Sequence, residues 1–450
     1  MQNLQSIMET LSGWVWGPYM LVLIVGTGIF LTFRLLFWQF RMLPLAFKQV
    51  FGKHPNHADS GDISQFASLM TALSATIGTG NIAGVATACV LGGPGAVFWM
   101  WMTALFGMAT KYGEGVLAVK YRVKNAKGEM SGGPMYYIER GLKLKWLALI
   151  FALLGTLASF GIGSSVQSNT VALAVENSLG LSTWITAIII TAFSALVILG
   201  GIKSISKASS VIVPIMAICY IAGGLVIILN NLNLVLPALK MIISYAFTGE
   251  AAVGGAIGAA IRYGVARGVF SNEAGMGSAP IAAAAAKTDH PARQGLVSMT
   301  GTFIDTIIVC SITGIVLVMG YIMAGNNFGD QTGAVLTISV FDKLLPGVGG
   351  WVVTFGIIFF AYSTILGWSY YGEKCATYLL GEKFILPYRI IYIATVFIGC
   401  VATLDMVWLF ADTFNGLMAV PNLIALLLLS GVIAKESKDF ITRRKSGELY

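Results

Sequence analysis

Long apolar runs separated by short polar connections dominate this chain. Measured against the roughly 20 apolar residues needed to cross a bilayer, they predict about eleven spanning helices. The runs lie near 14–33, 65–90, 94–118, 146–176, 182–200, 209–230, 250–286, 295–323, 350–378, 385–402 and 405–433. Those longer than one bilayer crossing require tilt or a break in the helix. After the first run, residues 34–51 mix Leu35, Leu36, Phe37, Phe40, Leu43 and Phe47 with Arg34, Arg41 and Lys48. That pattern suits an amphipathic helix lying at the membrane interface as a structural collar.

Two runs are interrupted by polar residues, which lipid-embedded helices tolerate only where open backbone lines a cavity or is buried in protein. The second, SLMTALSATIGTGNIAGVATACV, carries Gly78, Thr79, Gly80 and Asn81 in its middle. The seventh, AIRYGVARGVFSNEAGMGSAPIAAAA, gathers Gly268, Ser271, Asn272, Glu273, Gly275, Gly277 and Pro280. With the first run set aside, the other ten form two groups of five, each led by an interrupted run. A competing reading is close helix packing, because Gly80 to Gly84 and Gly254 to Gly258 both satisfy GxxxG.

Composition agrees with the membrane reading: 56% of residues are hydrophobic, 11% are charged and the mean hydropathy is +0.80, whereas soluble domains are about a quarter charged. The formal net charge of +8 would suggest nucleic acid were it not for where the bases sit. Lys and Arg cluster after the first, third, fifth, seventh and ninth runs and at the C-terminus, with Lys240 and Lys343 as exceptions in otherwise sparse connections. The positive-inside rule then places the N-terminus outside and the C-terminus in the cytoplasm. It also gives the two groups of five opposite orientations, the plan of inverted-repeat transporters. The expected organisation is an N-terminal helix and collar (1–64), a first repeat (65–230), an extracellular connection (231–249), a second repeat (250–433) and a cytoplasmic tail (434–450). The first thirteen residues carry Glu9 and no Lys or Arg, so a cleavable signal peptide is not expected.

Helix breaks have a definite chemistry. Freed amides at Gly78, Thr79 and Gly80 near the positive end of a half-helix suit a carboxylate, while freed carbonyls suit an ammonium group or a hard cation. A zwitterionic amino acid with sodium would use both. Gly78, Gly80 and Ala83 also fit GxGxxA, but a dinucleotide fingerprint needs a preceding strand and this one lies inside a span. Other polar residues at membrane depth are Gln167 and Asn169, Asp305, and the adjacent hydroxyls Ser363 and Thr364, with Trp368 a turn beyond. Asp305 is open to two readings, pairing with a base or coupling. Glu114, Glu373, Asp405 and Asp412 fall nearer the run ends, where pairing at the interface is expected. The cysteines Cys89, Cys219, Cys310, Cys375 and Cys400 show no CxxC spacing. His54, His57 and His290 all fall in connections, and a solvated loop is expected for the first two. A channel would need a continuous polar pore, and a membrane enzyme a nucleophile or acid–base pair in a wet cavity; the pattern favours neither.

The run GGPGAVFWMW, Gly92 to Trp101, with Thr103 to Gly107 resembles the signature of the alanine or glycine:cation symporter family, the sodium:alanine symporters. ALSATIGTGNIAGVATA, KYGE, SGGPMYYIERGL and RGVFSNEAGMGSAP resemble further stretches of that family. The resemblance implies an all-α polytopic protein with the broken-helix 5+5 inverted-repeat fold and one extra N-terminal helix. It implies sodium-coupled import of alanine or glycine, proton coupling or another small amino acid being the alternative, and no cofactor beyond Na+ as coupling ion. Carried onto this chain, Thr79, Gly80 and Asn81 would hold the substrate carboxylate, and Gln167 and the Phe270–Ser271 break would lie near its ammonium. Phe270 and Trp368 would close around its side chain. Carbonyls near Ala75 and Gly78 with the hydroxyls of Ser363 and Thr364 would hold sodium.

Overall fold

The computed structural model describes residues 2–52, 60–247, 256–402 and 405–449. Lys53, His54, His57 and Gly254 lie outside the described residues, as does the side chain of Asp405.

In their described residues the apolar runs fall on helices or on helical pieces laid end to end. Among the described residues, seven helices are long and apolar enough to cross a bilayer individually, including Lys145–Leu179, Pro291–Met323 and Gly349–Leu380. Local signals set their ends. Ser64 caps the helix Gln65–Thr76 by accepting from the Ala67 amide at 3.1 Å, and Pro291 opens Pro291–Thr302 behind a His290 ring nitrogen that accepts from Ala292 N at 3.1 Å. Side chains such as Leu196, Val211 and Ile218 stand exposed on the outer faces, as helices facing lipid require.

Both interrupted runs are broken helices. The first comprises Gln65–Thr76 and Ala83–Gly92 joined by a single tight turn, Thr79–Asn81. The second comprises Ala256–Asn272 and Ala279–Ala283. Its helix persists through Gly268, Phe270 and Ser271 and opens only at Glu273, later than the sequence pattern suggests. GVFSN is compatible with helix, whereas Glu273, Gly275 and Gly277 take φ of +55°, +90° and +83°, which an α-helix cannot contain. The helix Ala96–Lys120 packs against the second broken helix and against Pro291–Thr302.

Close packing alone does not explain the glycines: a Cβ at Gly258 would meet nothing within 4 Å, and at Gly84 only the Thr79 carbonyl at 4.0 Å. Gly80 is different, because its Cβ would sit 3.2 Å from Ser271 Cα. The two broken helices therefore touch there.

One end of the molecule is strapped shut. Ile63, just before the first broken helix, pairs with Ala286, just after the second. Arg122 donates to the carbonyls of Ala284, Ala286 and Ser60 at 3.0, 2.6 and 2.7 Å. The C-terminal helix Ser430–Lys445 is docked, with Tyr112 and Ser437 hydroxyls 2.7 Å apart and Lys120 paired to Glu436 at 2.7 Å.

Candidate functional site

The first break packs against the middle of the long helix Gly349–Leu380. Gly78 makes this possible, since a Cβ there would lie 2.5 Å from Thr364 Oγ1. The Ser363 hydroxyl lies 3.2 Å from Ser74 O and 2.9 Å from Phe360 O; the Thr364 hydroxyl lies 3.4 Å from Ile77 O and 2.9 Å from Phe360 O. Three carbonyl oxygens and two hydroxyls thus converge in a buried, uncharged nest. The two carbonyls from the broken helix are those of Ser74 and Ile77, each one residue before the Ala75 and Gly78 positions inferred from the motif. The chain leaves the α-conformation at Ile77 (ψ 93°), so the last outward-turned carbonyls belong to the residues just before the break.

Two amides of this break meet side-chain oxygens and one of its hydroxyls is left over. Gly78 N donates to Asn81 Oδ1 at 3.0 Å and Thr79 N to Gln167 Oε1 at 3.4 Å, while the buried Thr79 hydroxyl has no partner. Gln167 is therefore in contact with the break, its own amide NH₂ donating to Ile162 O at 3.0 Å.

Asp305 joins the two broken helices. It is fully buried in a π-helical stretch, Phe303–Cys310. It accepts from Asn81 Nδ2 at 2.7 Å, from Ser271 Oγ at 2.8 Å and from Thr306 Oγ1 at 2.8 Å. Among the described residues it makes no ion pair, so of the two readings of Asp305, pairing with a base is not what the geometry shows.

The second break is braced by the protein itself. Glu114 Oε1 accepts from Gly275 N, Gly277 N and Asn422 Nδ2 at 3.2, 3.1 and 2.7 Å. Lys111 Nζ donates to Asn272 O at 2.9 Å, and Asn422 Nδ2 also reaches Gly275 O at 2.9 Å. Glu114 is thus not an interface residue: it is fully buried and caps freed amides. Glu373 and Asp412 do pair, with Arg389 at 2.6 Å and Arg267 at 3.4 Å. Asn169 donates to the carbonyls of Gly399 and Ala402 at 3.1 and 3.2 Å and lines the cavity described next.

A cavity of about 600 Å³ leads from Thr79 between the second half of the first broken helix and Phe270, with Trp408 and Asp412 on its far wall. Phe270 stacks on Trp408 at 6.4 Å, with the Arg267 guanidinium 5.3 Å above its ring. Trp368 does not line this cavity. Its indole N–H donates to Glu273 Oε1 at 2.9 Å, and Ser278 Oγ donates to Glu273 Oε2 at 2.5 Å. The structure therefore gathers Thr79, Gly80, Asn81, Gln167, Ser271, Ser363 and Thr364 around the first break, sets Phe270 at its mouth and ties Trp368 to the second break. Lys111, Thr306 and Asn422 escaped sequence reasoning, and Glu114 was noticed there but assigned to the interface. The available signal was Lys111 and Glu114 three residues apart in an apolar run, a costly pairing at membrane depth.

Two broken helices meeting at a buried polar centre define a secondary transporter of the inverted-repeat class. The model of the sodium:alanine symporter family matches residues 1–449, and the chain belongs to that family of amino-acid symporters. It is 59% identical over 445 residues to the sodium/alanine symporter AgcS of Methanococcus maripaludis, covering 98% of each chain. It is 40% identical to a probable sodium/glutamine symporter, GlnT, of Bacillus subtilis, over 99% of this chain and 93% of that one. Among solved structures, MhsT in complex with L-phenylalanine superposes with a TM-score of 0.54 at 12% identity, covering 83% of this chain and 98% of the other. Mhp1, a nucleobase-cation-symport-1 family transporter, gives 0.50 at 15% identity, with 87% and 82% covered. At such identities these likenesses concern the fold alone.

Proposed function

We propose that this protein imports alanine, and glycine with it, by coupling the amino acid to sodium entry through alternating access. The observation that carries the reading is the contrast between the two breaks. The first opens on the cavity, which Thr79 lines and where its buried hydroxyl has no partner, whereas the Gly275 and Gly277 amides of the second are held by Glu114 and this break does not line the cavity. A buried break left this open has affinity to spend on a ligand. Amides at Gly78, Thr79 and Gly80 take the carboxylate, and Gln167 and Ser271 lie close enough to contact the ammonium. Neutral oxygens of Ser74, Ile77, Phe360, Ser363 and Thr364 suit a hard monovalent cation. Glycine and alanine are admitted together because one methyl is worth only ~0.8 kcal/mol of burial, about fourfold.

With the basic end in the cytoplasm, the 600 Å³ cavity opens outward and the Arg122 strap closes the inner side, an outward-facing state. One sodium ion descending ~100 mV releases about 2.3 kcal/mol, and a tenfold gradient adds about 1.4, enough for accumulation of roughly several hundredfold. Proton coupling is the second reading, favoured by one observation: Asp305 is a buried carboxylate held only by neutral donors. Radiolabelled alanine uptake into proteoliposomes, with sodium and proton gradients imposed separately, separates them. Uptake driven by sodium at equal pH is expected; uptake that follows the proton gradient alone overturns the cation assignment.

A further inference from the structure

We propose that a pocket between the collar helix Trp38–Arg41 and the C-terminal helix Ser430–Lys445 binds the phosphate headgroup of an anionic lipid. The pocket, about 450 Å³, is lined by Trp38, Arg41, Met42, Ile441, Arg444 and Lys445: three cations, three apolar or aromatic side chains and no acid.

The acids on the C-terminal segment are engaged elsewhere. Glu436 pairs with Lys120 at 2.7 Å, Asp439 with His290 at 3.1 Å and Glu448 with Arg443 at 3.0 Å. Among the described residues Arg41, Arg444 and Lys445 have no carboxylate partner, and the Arg41 guanidinium reaches only the Leu36 carbonyl at 3.4 Å. In the same wall the Trp38 indole N–H is buried without an acceptor. The Trp38 ring packs 5.6 Å from Tyr112, whose hydroxyl bonds Ser437, so both helices forming the pocket are held to one interior residue.

What stands beside the cations selects a lipid over a free anion. Leu36 and Phe37, with φ of +55° and +56°, turn the chain between Pro18–Arg34 and Trp38–Arg41. The turn leaves Phe33, Leu36, Phe37 and Phe40 exposed. Exposed aromatic and aliphatic side chains next to basic ones mark the boundary between acyl chains and headgroups. A basic pocket at that level attracts anionic headgroups, with each Lys or Arg strengthening binding about fivefold. Inorganic phosphate would meet the cations and gain nothing from the apolar rim.

Native mass spectrometry of the purified protein tests this with phosphatidylglycerol as probe, phosphatidylcholine as the neutral comparison and inorganic phosphate as competitor. R41Q/R444Q/K445Q is expected to weaken phosphatidylglycerol binding roughly a hundredfold. K124Q/K127Q/K143Q, which removes the same charge from exposed positions outside the pocket, is expected to leave it unchanged. The single variants R444Q and K445Q, at an exposed helix end, are each expected to weaken it about fivefold and serve if the triple variant fails to fold. Equal losses in the pocket and control variants would overturn the proposal in favour of diffuse surface charge. Displacement of the lipid by millimolar phosphate would overturn it in favour of a free-anion site. Alanine uptake in phosphatidylcholine vesicles is expected to survive in the pocket variant, since none of its three residues contacts either break.

Discussion

Asn81 and Asp305 lie 224 residues apart in sequence, yet Asn81 Nδ2 donates to Asp305 Oδ1 at 2.7 Å. Ser271 Oγ meets the other carboxylate oxygen at 2.8 Å. One buried acid thus holds the first break and the end of the second broken helix's first half in a fixed relation. Any rocking of one repeat against the other must keep or exchange these bonds.

Asp305→Asn is therefore expected to reduce sodium-driven alanine uptake roughly tenfold to a hundredfold, the range for losing hydrogen bonds to a charged group. The asparagine keeps the volume but presents one acceptor oxygen to donors from two helices. Uptake in proteoliposomes normalised to folded protein checks this. Wild-type uptake would show that the carboxylate is incidental to the coupling geometry.

Much of this arrangement is legible in the chain itself. The polar clusters at Gly78–Asn81 and around Ser271–Gly277 are costly in lipid unless the helix opens, so their presence announced both breaks. Their facing partners were harder to read. Ser363 and Thr364 stood out as adjacent hydroxyls in an apolar run. Glu114 was misread as an interface residue because hydropathy reports depth along a helix and not which neighbour it faces. The start of the second break was placed too early because Gly268 looks like a helix breaker, although it serves close approach: a Cβ there would lie 2.4 Å from Thr103 Oγ1.

Replacing Thr364 by Val removes a hydroxyl that faces Ile77 O and Phe360 O while keeping the side chain's shape. Half-saturation for sodium is expected to rise about tenfold, the cost of roughly one ligand interaction of ~1.4 kcal/mol. Alanine affinity at saturating sodium should change little. Ser363→Ala is expected to act in the same direction through Ser74 O. Uptake measured across a sodium series separates this from a general loss of activity, which would lower the maximal rate without moving the midpoint.

Trp368 is fixed by the bond from its indole N–H to Glu273 Oε1 and by Gly163, where a Cβ would lie 2.3 Å from the Trp368 Cβ. Trp368 stands clear of the cavity that Thr79 and Phe270 line; if it nonetheless walls the amino-acid site, its truncation to Ala should admit larger side chains, with competition by valine or leucine rising by an order of magnitude or more. Trp368→Phe keeps much of the bulk but loses the bond to Glu273, so it should retain the size cutoff and show a lower transport rate. A size cutoff unchanged in Trp368→Ala would remove this residue from the pocket.

Glu114 gives the sharpest test of stability against function. Its Oε1 satisfies two amides of the second break and the Asn422 side chain, all buried. Glu114→Ala would leave these donors facing an empty site at ~1–3 kcal/mol each, and the sum is expected to exceed about 3 kcal/mol. That predicts a markedly lower melting temperature in detergent, with transport lost along with folded protein. Glu114→Gln keeps an acceptor oxygen in place and should recover most of the stability. If the Gln variant is as unstable as the Ala variant, the negative charge itself, set near Lys111, matters more than the hydrogen bonds. The second break would then be an electrostatic assembly and not a capped helix end.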